Sequence, residues 1–147
     1  MKDSEKTSGV HLWLITIKAF HSIATNVGRR LKKSGLGDSD FRVLEALLHK
    51  GPMPVNAIGP KVFLTPGSIS VAVDRLYERG LVSRVDCPND RRVRTVDLTA
   101  KGRRLIARVF EEHARHMEQL ASELTPAERR LLAEGLKKLG KKAASER

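Results

Sequence analysis

The sequence predicts a mainly α protein with one small β element, an α+β arrangement, and three observations carry that reading. Over most of the chain apolar residues recur at steps of three and four, the period of a helix with one buried face. Leu81 to Asp86 and Val93 to Leu98 instead alternate in character on either side of Pro88-Asn89-Asp90, the pattern of a β-hairpin. The chain has 147 residues, 40% of them apolar, enough for one domain and too few for a second. Only 4% are aromatic, so the core must come from Leu, Val, Ile and Ala.

The first helix is predicted from about Val10 to Lys33, with Leu12, Ile15, Ala19, Phe20, Ile23, Val27 and Leu31 on one face. Ser34-Gly35-Leu36-Gly37 ends it. Asp38 or Ser39 then caps a helix with Phe41, Leu44, Leu47 and Leu48 inward, closed by His49-Lys50-Gly51-Pro52. A short helix fits Val55 to Val62 despite Gly59 and Pro60. Thr65 is an N-cap and Pro66 occupies the first helical position, where a missing N–H costs nothing. Ile69, Val73, Leu76 and Tyr77 form that helix's expected buried stripe, and Gly80 stops it. After the hairpin, Thr99-Ala100-Lys101-Gly102 opens a long helix running to about Leu124. Thr125, Pro126 and Glu128 spell an N-cap, a proline at the first position and a capping-box glutamate. The last helix packs Leu131, Leu132, Leu136 and Leu139, and the tail KKAASER is expected to fray.

Charge narrows the function. Lys and Arg number 28 against 17 Asp and Glu, a net charge of +11, which attracts polyanions, nucleic acid first among them. An anionic membrane surface is the rival partner. The opening MKDSEKTSG has no apolar stretch, and the run after it is interrupted by His11, Thr16 and Lys18, so neither a leader nor a membrane span is expected. Cys87 stands alone, which excludes an internal disulfide and suits a reducing cytoplasm. No Gly-rich phosphate loop, nucleophile elbow or Ser/His/Asp grouping is present, so no enzyme and no cofactor is expected.

The middle of the chain thus reads helix, turn, helix, hairpin, the order of a winged helix-turn-helix. The second helix of such a unit enters the major groove by its N-terminal end. Here that end carries Thr65, Pro66, Gly67, Ser68, Ser70 and Val71, small side chains that let a helix seat deeply, with Asp74 and Arg75 a turn further on. The hydroxyls suit phosphates or bases, the free N–H groups suit a phosphate, and Arg75 suits a guanine edge or the backbone. The hairpin places Arg91, Arg92 and Arg94 directly after its turn. A thin wing reaches the neighbouring minor groove, whose concentrated negative potential favours arginine. Asp90 is placed to orient Arg92 by a charge-assisted hydrogen bond. Between Arg75 and Arg104 nine basic residues stand against four acidic ones, in keeping with this placement.

Leu64 to Gly102 resembles the MarR family of winged-helix transcriptional regulators. The likeness lies in Leu76-Tyr77-Glu78-Arg79-Gly80-Leu81-Val82, in the wing Asp86…Asp90-Arg91-Arg92, and in the closing Leu98-Thr99…Lys101-Gly102. It implies a homodimer that grips a pseudo-palindrome in double-stranded DNA. The lobe over residues 38–100 would read DNA, and residues 9–34 and 101–143 would form the helical dimerisation region. Arg92 matches the family's minor-groove arginine. Terminal helices this apolar independently ask for a partner.

The resemblance also implies a small aromatic or anionic effector between the dimer helices and the DNA lobe, with Trp13, His21, Phe41, Arg42 and Phe110 as candidates. Each of them suits plain packing or surface better. The Cys-Pro-x-Asp-Arg-Arg wing is similar to that of members answering quinone-like compounds. Cys87, beside Arg91 and Arg92, is therefore a candidate redox sensor as well as a passive turn residue. His113 and His116 have the i,i+3 spacing that can hold zinc, but no cysteine lies near and no metal is assigned. The expected function is a cytoplasmic, ligand-responsive repressor; the alternative that the charge alone would satisfy is a non-specific architectural DNA binder.

Overall fold

The computed structural model describes residues 6–146 and, within them, every side chain but that of Arg91. Met1–Glu5, part of the opening stretch expected to carry no leader, lie outside the described residues, as does Arg147 at the end of the tail. The elements in chain order are α1 (Gly9–Lys33), α2 (Asp38–Lys50), β1 (Met53–Pro54), α3 (Val55–Lys61), α4 (Pro66–Glu78), β2 (Val82–Cys87), β3 (Asp90–Leu98), α5 (Ala100–Ala121) and α6 (Pro126–Ser145). They divide into two compact units, one ending at Phe110 and one beginning at Glu111.

The first unit holds the sheet and the core. Its three strands are antiparallel in the order β1-β3-β2. Val82 pairs with Leu98, Arg84 with Val96 and Asp86 with Arg94, and the register slips between Asp86 and Cys87. The two-residue β1, absent from the sequence reading, sets Met53 opposite Val96 and Pro54 opposite Thr95. An edge position tolerates Pro54, which has no N–H to give. Val43, Leu44, Leu47, Ile58, Leu76, Leu81, Val96 and Ile106 are completely buried and form the centre of the core. Such aliphatic burial is worth roughly 1.5–3 kcal/mol per side chain.

Several local expectations change. The N-cap of α2 is Gly37, not Asp38 or Ser39, and no side chain caps that end; Asp38 already belongs to the helix and pairs with Arg42 at 2.7 Å. Tyr77 is not in the buried stripe of α4. Ile69, Ala72, Val73 and Leu76 are buried, whereas Tyr77 remains exposed beneath the guanidinium of Arg84, 3.9 Å from its ring centre. Strand β3 begins at Asp90 rather than Val93, so the turn shrinks to Pro88-Asn89.

One contact explains the Leu-Thr-x-x-Gly motif that closes the wing. The Thr99 hydroxyl donates to the Gly80 carbonyl at 2.7 Å and accepts the Gly102 N–H at 3.0 Å, and the Thr99 N–H reaches the Leu81 carbonyl. The start of α5 therefore lies against the end of α4. A Cβ on Gly102 would fall 1.9 Å from the Leu81 oxygen. Only glycine fits there.

The second unit contains the remainder of α5 and all of α6. The capping box forms as predicted: Thr125 accepts from the Glu128 N–H, and Glu128 accepts from the Thr125 N–H at 2.7 Å. Arg129 donates to the carbonyls of Ala121 and Leu124 and pairs with Glu118, bracing the turn between the helices. The long helix stops at Ala121, three residues before the expected Leu124, and the tail expected to fray is helical through Ser145. No residue of α6 is buried.

Candidate nucleic-acid interface

Helix α4 shows why its sequence alternates small polar and apolar residues. Thr65 accepts the Ser68 N–H at 3.2 Å and donates its hydroxyl to Ser68 Oγ at 2.9 Å, which fixes the helix start with Pro66 at its first position. One face then carries Ile69, Ala72, Val73 and Leu76 into the core. The opposite face leaves Thr65, Pro66, Gly67, Ser68, Ser70 and Val71 exposed, all of them residues singled out for DNA contact.

Arg75 is differently placed. Its Nε donates to both oxygens of Asp40 at 3.0 Å, and Nη2 donates to Oδ1 at 2.5 Å. Arg79 adds a longer contact at 3.7 Å. Asp40 is buried, so this pair fastens α4 to α2. Donating hydrogen bonds to the Asp40 carboxylate raises the pKa of Arg75 above its ordinary value, burial opposes this and the Asp40 charge adds to it, so the guanidinium stays charged at any working pH. The Nε–H and one N–H of Nη2 are thus spent on Asp40.

The wing meets the same helix through Arg84, which the sequence reading passed over. From β2 its Nη1 contacts Asp74 of α4 at 2.5 Å while its guanidinium lies over Tyr77. Across the ladder Arg94 pairs with Asp86 at 3.2 Å. Asp90 acts otherwise than expected: Oδ1 accepts the backbone N–H of Arg92 at 3.0 Å, so it fixes the chain at the turn rather than the guanidinium. Arg92 and Arg94 both stand exposed.

A groove of about 310 Å³ runs between α3, the start of α4 and β3. Asn56, Leu64, Pro66, Ser70, Arg92 and Arg94 are among its lining residues. A second hollow brings Ser70 together with Asp74, Arg84, Arg92 and Arg94. Ser70 of α4 and Arg92 and Arg94 of β3 thus border shared concavities of the first unit.

The effector candidates have separate fates. Phe41 is buried in the core, Arg42 donates to the Val62 carbonyl at 3.1 Å and pairs with Asp38, and Phe110 meets His49 edge-on at 4.6 Å. Trp13 and His21 lie exposed on α1. Cys87 is half-buried at the register slip of the wing. His116 is buried and His113 half-buried, and among the described residues no three His, Cys, Asp or Glu gather as a metal would need. Nor is any described helix long and apolar enough to cross a membrane.

Comparison with known proteins agrees with this geometry. The MarR family model matches residues 36–93, from just before α2 into strand β3 of the wing. The HTH-type transcriptional regulator MhqR of Bacillus subtilis (strain 168) is 36% identical over 129 residues, 88% of this chain and 89% of its own length. Among solved structures, the transcriptional regulator BldR from Sulfolobus solfataricus superposes with a TM-score of 0.79 at 27% identity, over 97% of this chain and 99% of its own. NadR in complex with 4-hydroxyphenylacetate shares the fold, with a TM-score of 0.72 at 24% identity over 95% of this chain and 97% of its own.

Proposed function

Because the chain belongs to the MarR family, whose members are DNA-binding transcriptional regulators, we propose that it works as a homodimeric, ligand-responsive repressor of a pseudo-palindromic operator. The observation that carries this reading is the meeting of Ser70 with Arg92 and Arg94 around one groove. The exposed end of α4 enters the major groove, with Thr65, Pro66, Gly67, Ser68, Ser70 and Val71 at the duplex. The wing lays Arg92 towards the adjacent minor groove and Arg94 towards phosphate, and Arg91 is kept as a DNA contact from the sequence alone. Asp90 shapes the wing turn. Arg75, bound to Asp40, holds the helix at its angle and offers the duplex only its remaining edge.

Residues 38–100 form the reading lobe, and residues 9–34 and 101–143 supply the dimer contacts. Leu12, Ile15, Phe20 and Ile23 on α1, and separately Leu131, Leu132, Leu136 and Leu139 on α6, are exposed in the single chain. Apolar faces of this extent mark an interaction surface. Two lobes related by a twofold axis then meet half-sites one helical turn, about 34–36 Å, apart.

A small aromatic or anionic molecule, of the kind NadR holds as 4-hydroxyphenylacetate, releases the operator by binding the DNA-incompetent spacing of the lobes more tightly, through a coupling of about 1–3 kcal/mol. Trp13, His21, Phe41, Arg42 and Phe110 remain the candidates to meet it, the first two exposed on α1. Selecting bound fragments from the source genome tests the whole proposal. One inverted repeat should be enriched, and a panel of phenols, quinones, oxidants and zinc should identify what releases it. Uniform recovery of fragments would mark a non-specific architectural binder. Release by oxidants or quinones that disappears in Cys87→Ser would make Cys87 the sensor.

A further inference from the structure

We infer that Phe63, in the turn between α3 and α4, is a specificity-determining residue that packs against a thymine methyl group in the major groove. The assignment rests on the DNA-binding reading above and adds a residue to it.

The backbone raises the question. Leu36, Leu64 and Leu81 each donate a backbone N–H to a carbonyl five residues earlier, closing α1, α3 and α4 in the same way. The residue just before each donor adopts positive φ. For α1 and α4 it is Gly35 at 77° and Gly80 at 69°, the residue type this cap favours. For α3 it is Phe63 at 57°, and among the described residues no other non-glycine has positive φ. A bulky side chain is a genuine outlier there. The neighbouring contacts hold it in place: Leu64 packs towards the core, Val62 is buried, and Gly59 sits so close to the Leu64 carbonyl that a Cβ would approach it to 3.1 Å.

The side chain gains nothing within the chain that would offset this conformation, since Phe63 is 89% exposed. Strained, solvent-exposed residues gather where a partner is met. Which partner follows from the surroundings. Val62 and Leu64 turn inward, leaving Phe63 between exposed Lys61 and exposed Thr65, with Ser68 a turn further along. Its exposed neighbours along the chain are Lys61, Thr65 and Ser68 together with Pro66, a mixed surface rather than the aromatic-rich centre of a protein interface. It does fit the major groove, where charged and hydrogen-bonding edges are interrupted by the C5-methyl of thymine, and phenylalanine is among the side chains that recognise it.

The test compares wild type with Phe63→Gly on the selected operator, and on copies in which each thymine in turn is replaced by deoxyuridine. Glycine suits φ 57°, so the variant should fold and melt at or above the wild-type temperature. Wild type should lose about fourfold in affinity at one thymine per half-site, the worth of one buried methyl. The variant should bind the intact operator more weakly, be indifferent to that deoxyuridine, and keep the wild-type dependence on salt, because an apolar contact neutralises no phosphate. Wild-type affinity in Phe63→Gly, or deoxyuridine sensitivity that survives in it, would overturn the assignment alone. A wild-type protein that prefers no sequence would overturn it together with the operator reading.

Discussion

At the scale of single residues, Arg92 bears the sharpest prediction. Asp90 fixes its backbone at the wing turn, and its side chain borders the groove shared with α4. Arg92→Ala should weaken operator binding by about 1–3 kcal/mol with melting temperature and dimer intact; unchanged affinity in a titration at fixed salt would refute a minor-groove role. Ser70→Ala should change which operators are preferred and leave the salt slope alone, since it removes no cation. A changed slope with unchanged preference would mean that Ser70 touches only the backbone. Ser68 gives a less clean test, because Thr65 donates to its hydroxyl within the cap. The exposed placement of these residues was legible because they stand at fixed offsets from a cap and a turn. The partnership of Arg75 with Asp40 was not. It joins residues 35 positions apart, and no local pattern announces a buried carboxylate on another helix. Arg84 escaped notice for the same reason: its aromatic and acidic partners lie on α4, beyond the reach of strand alternation.

At the scale of elements, caps and turns were well predicted where local chemistry decides them, as at Thr65, Gly80 and Thr125. The miss at α2 is instructive, for Asp38 reads as a cap yet sits inside the helix paired with Arg42. β1 is two residues long and exists only because Val96 and Thr95 lie opposite it, which no periodicity can show. Gly102 is the element-scale lesson in the other direction, since its motif was visible and its reason was not. Gly102→Ala should destabilise the fold by more than about 2 kcal/mol, as a methyl driven into the Leu81 carbonyl forces the start of α5 away from α4; a thermal melt matching wild type would contradict the contact. Glu128 carries a pH prediction. Hydrogen bonds from Thr125 hold its carboxyl below the usual range. A depressed pKa adds stability above the ordinary carboxylate value of about 4.3 that is lost as pH falls through the folded value. Amide protection in the first turn of α6 should therefore fall between pH 6 and pH 3, and Glu128→Gln should show no such step. Equal protection at both pH values in the wild type would remove the cap's electrostatic role.

At the scale of the whole molecule, charge and apolar patterning announced the class of function before any coordinates. The net charge of +11 pointed to a polyanion, and helices with apolar faces too large for one chain pointed to a second copy. Phe63 drew no expectation from the sequence, because neither its positive φ nor its exposure has a local signature. The central claim is that α4 and the wing make one surface which grips two neighbouring grooves of a duplex. Dimethyl sulfate tests it in a single experiment, since it methylates guanine N7 in the major groove and adenine N3 in the minor groove. With the protein bound to its selected operator, each half-site should show guanine protection flanked within a few base pairs by adenine protection, and Arg92→Ala should abolish only the adenine signal. Protection confined to one groove, or adenine protection indifferent to Arg92, would contradict the account.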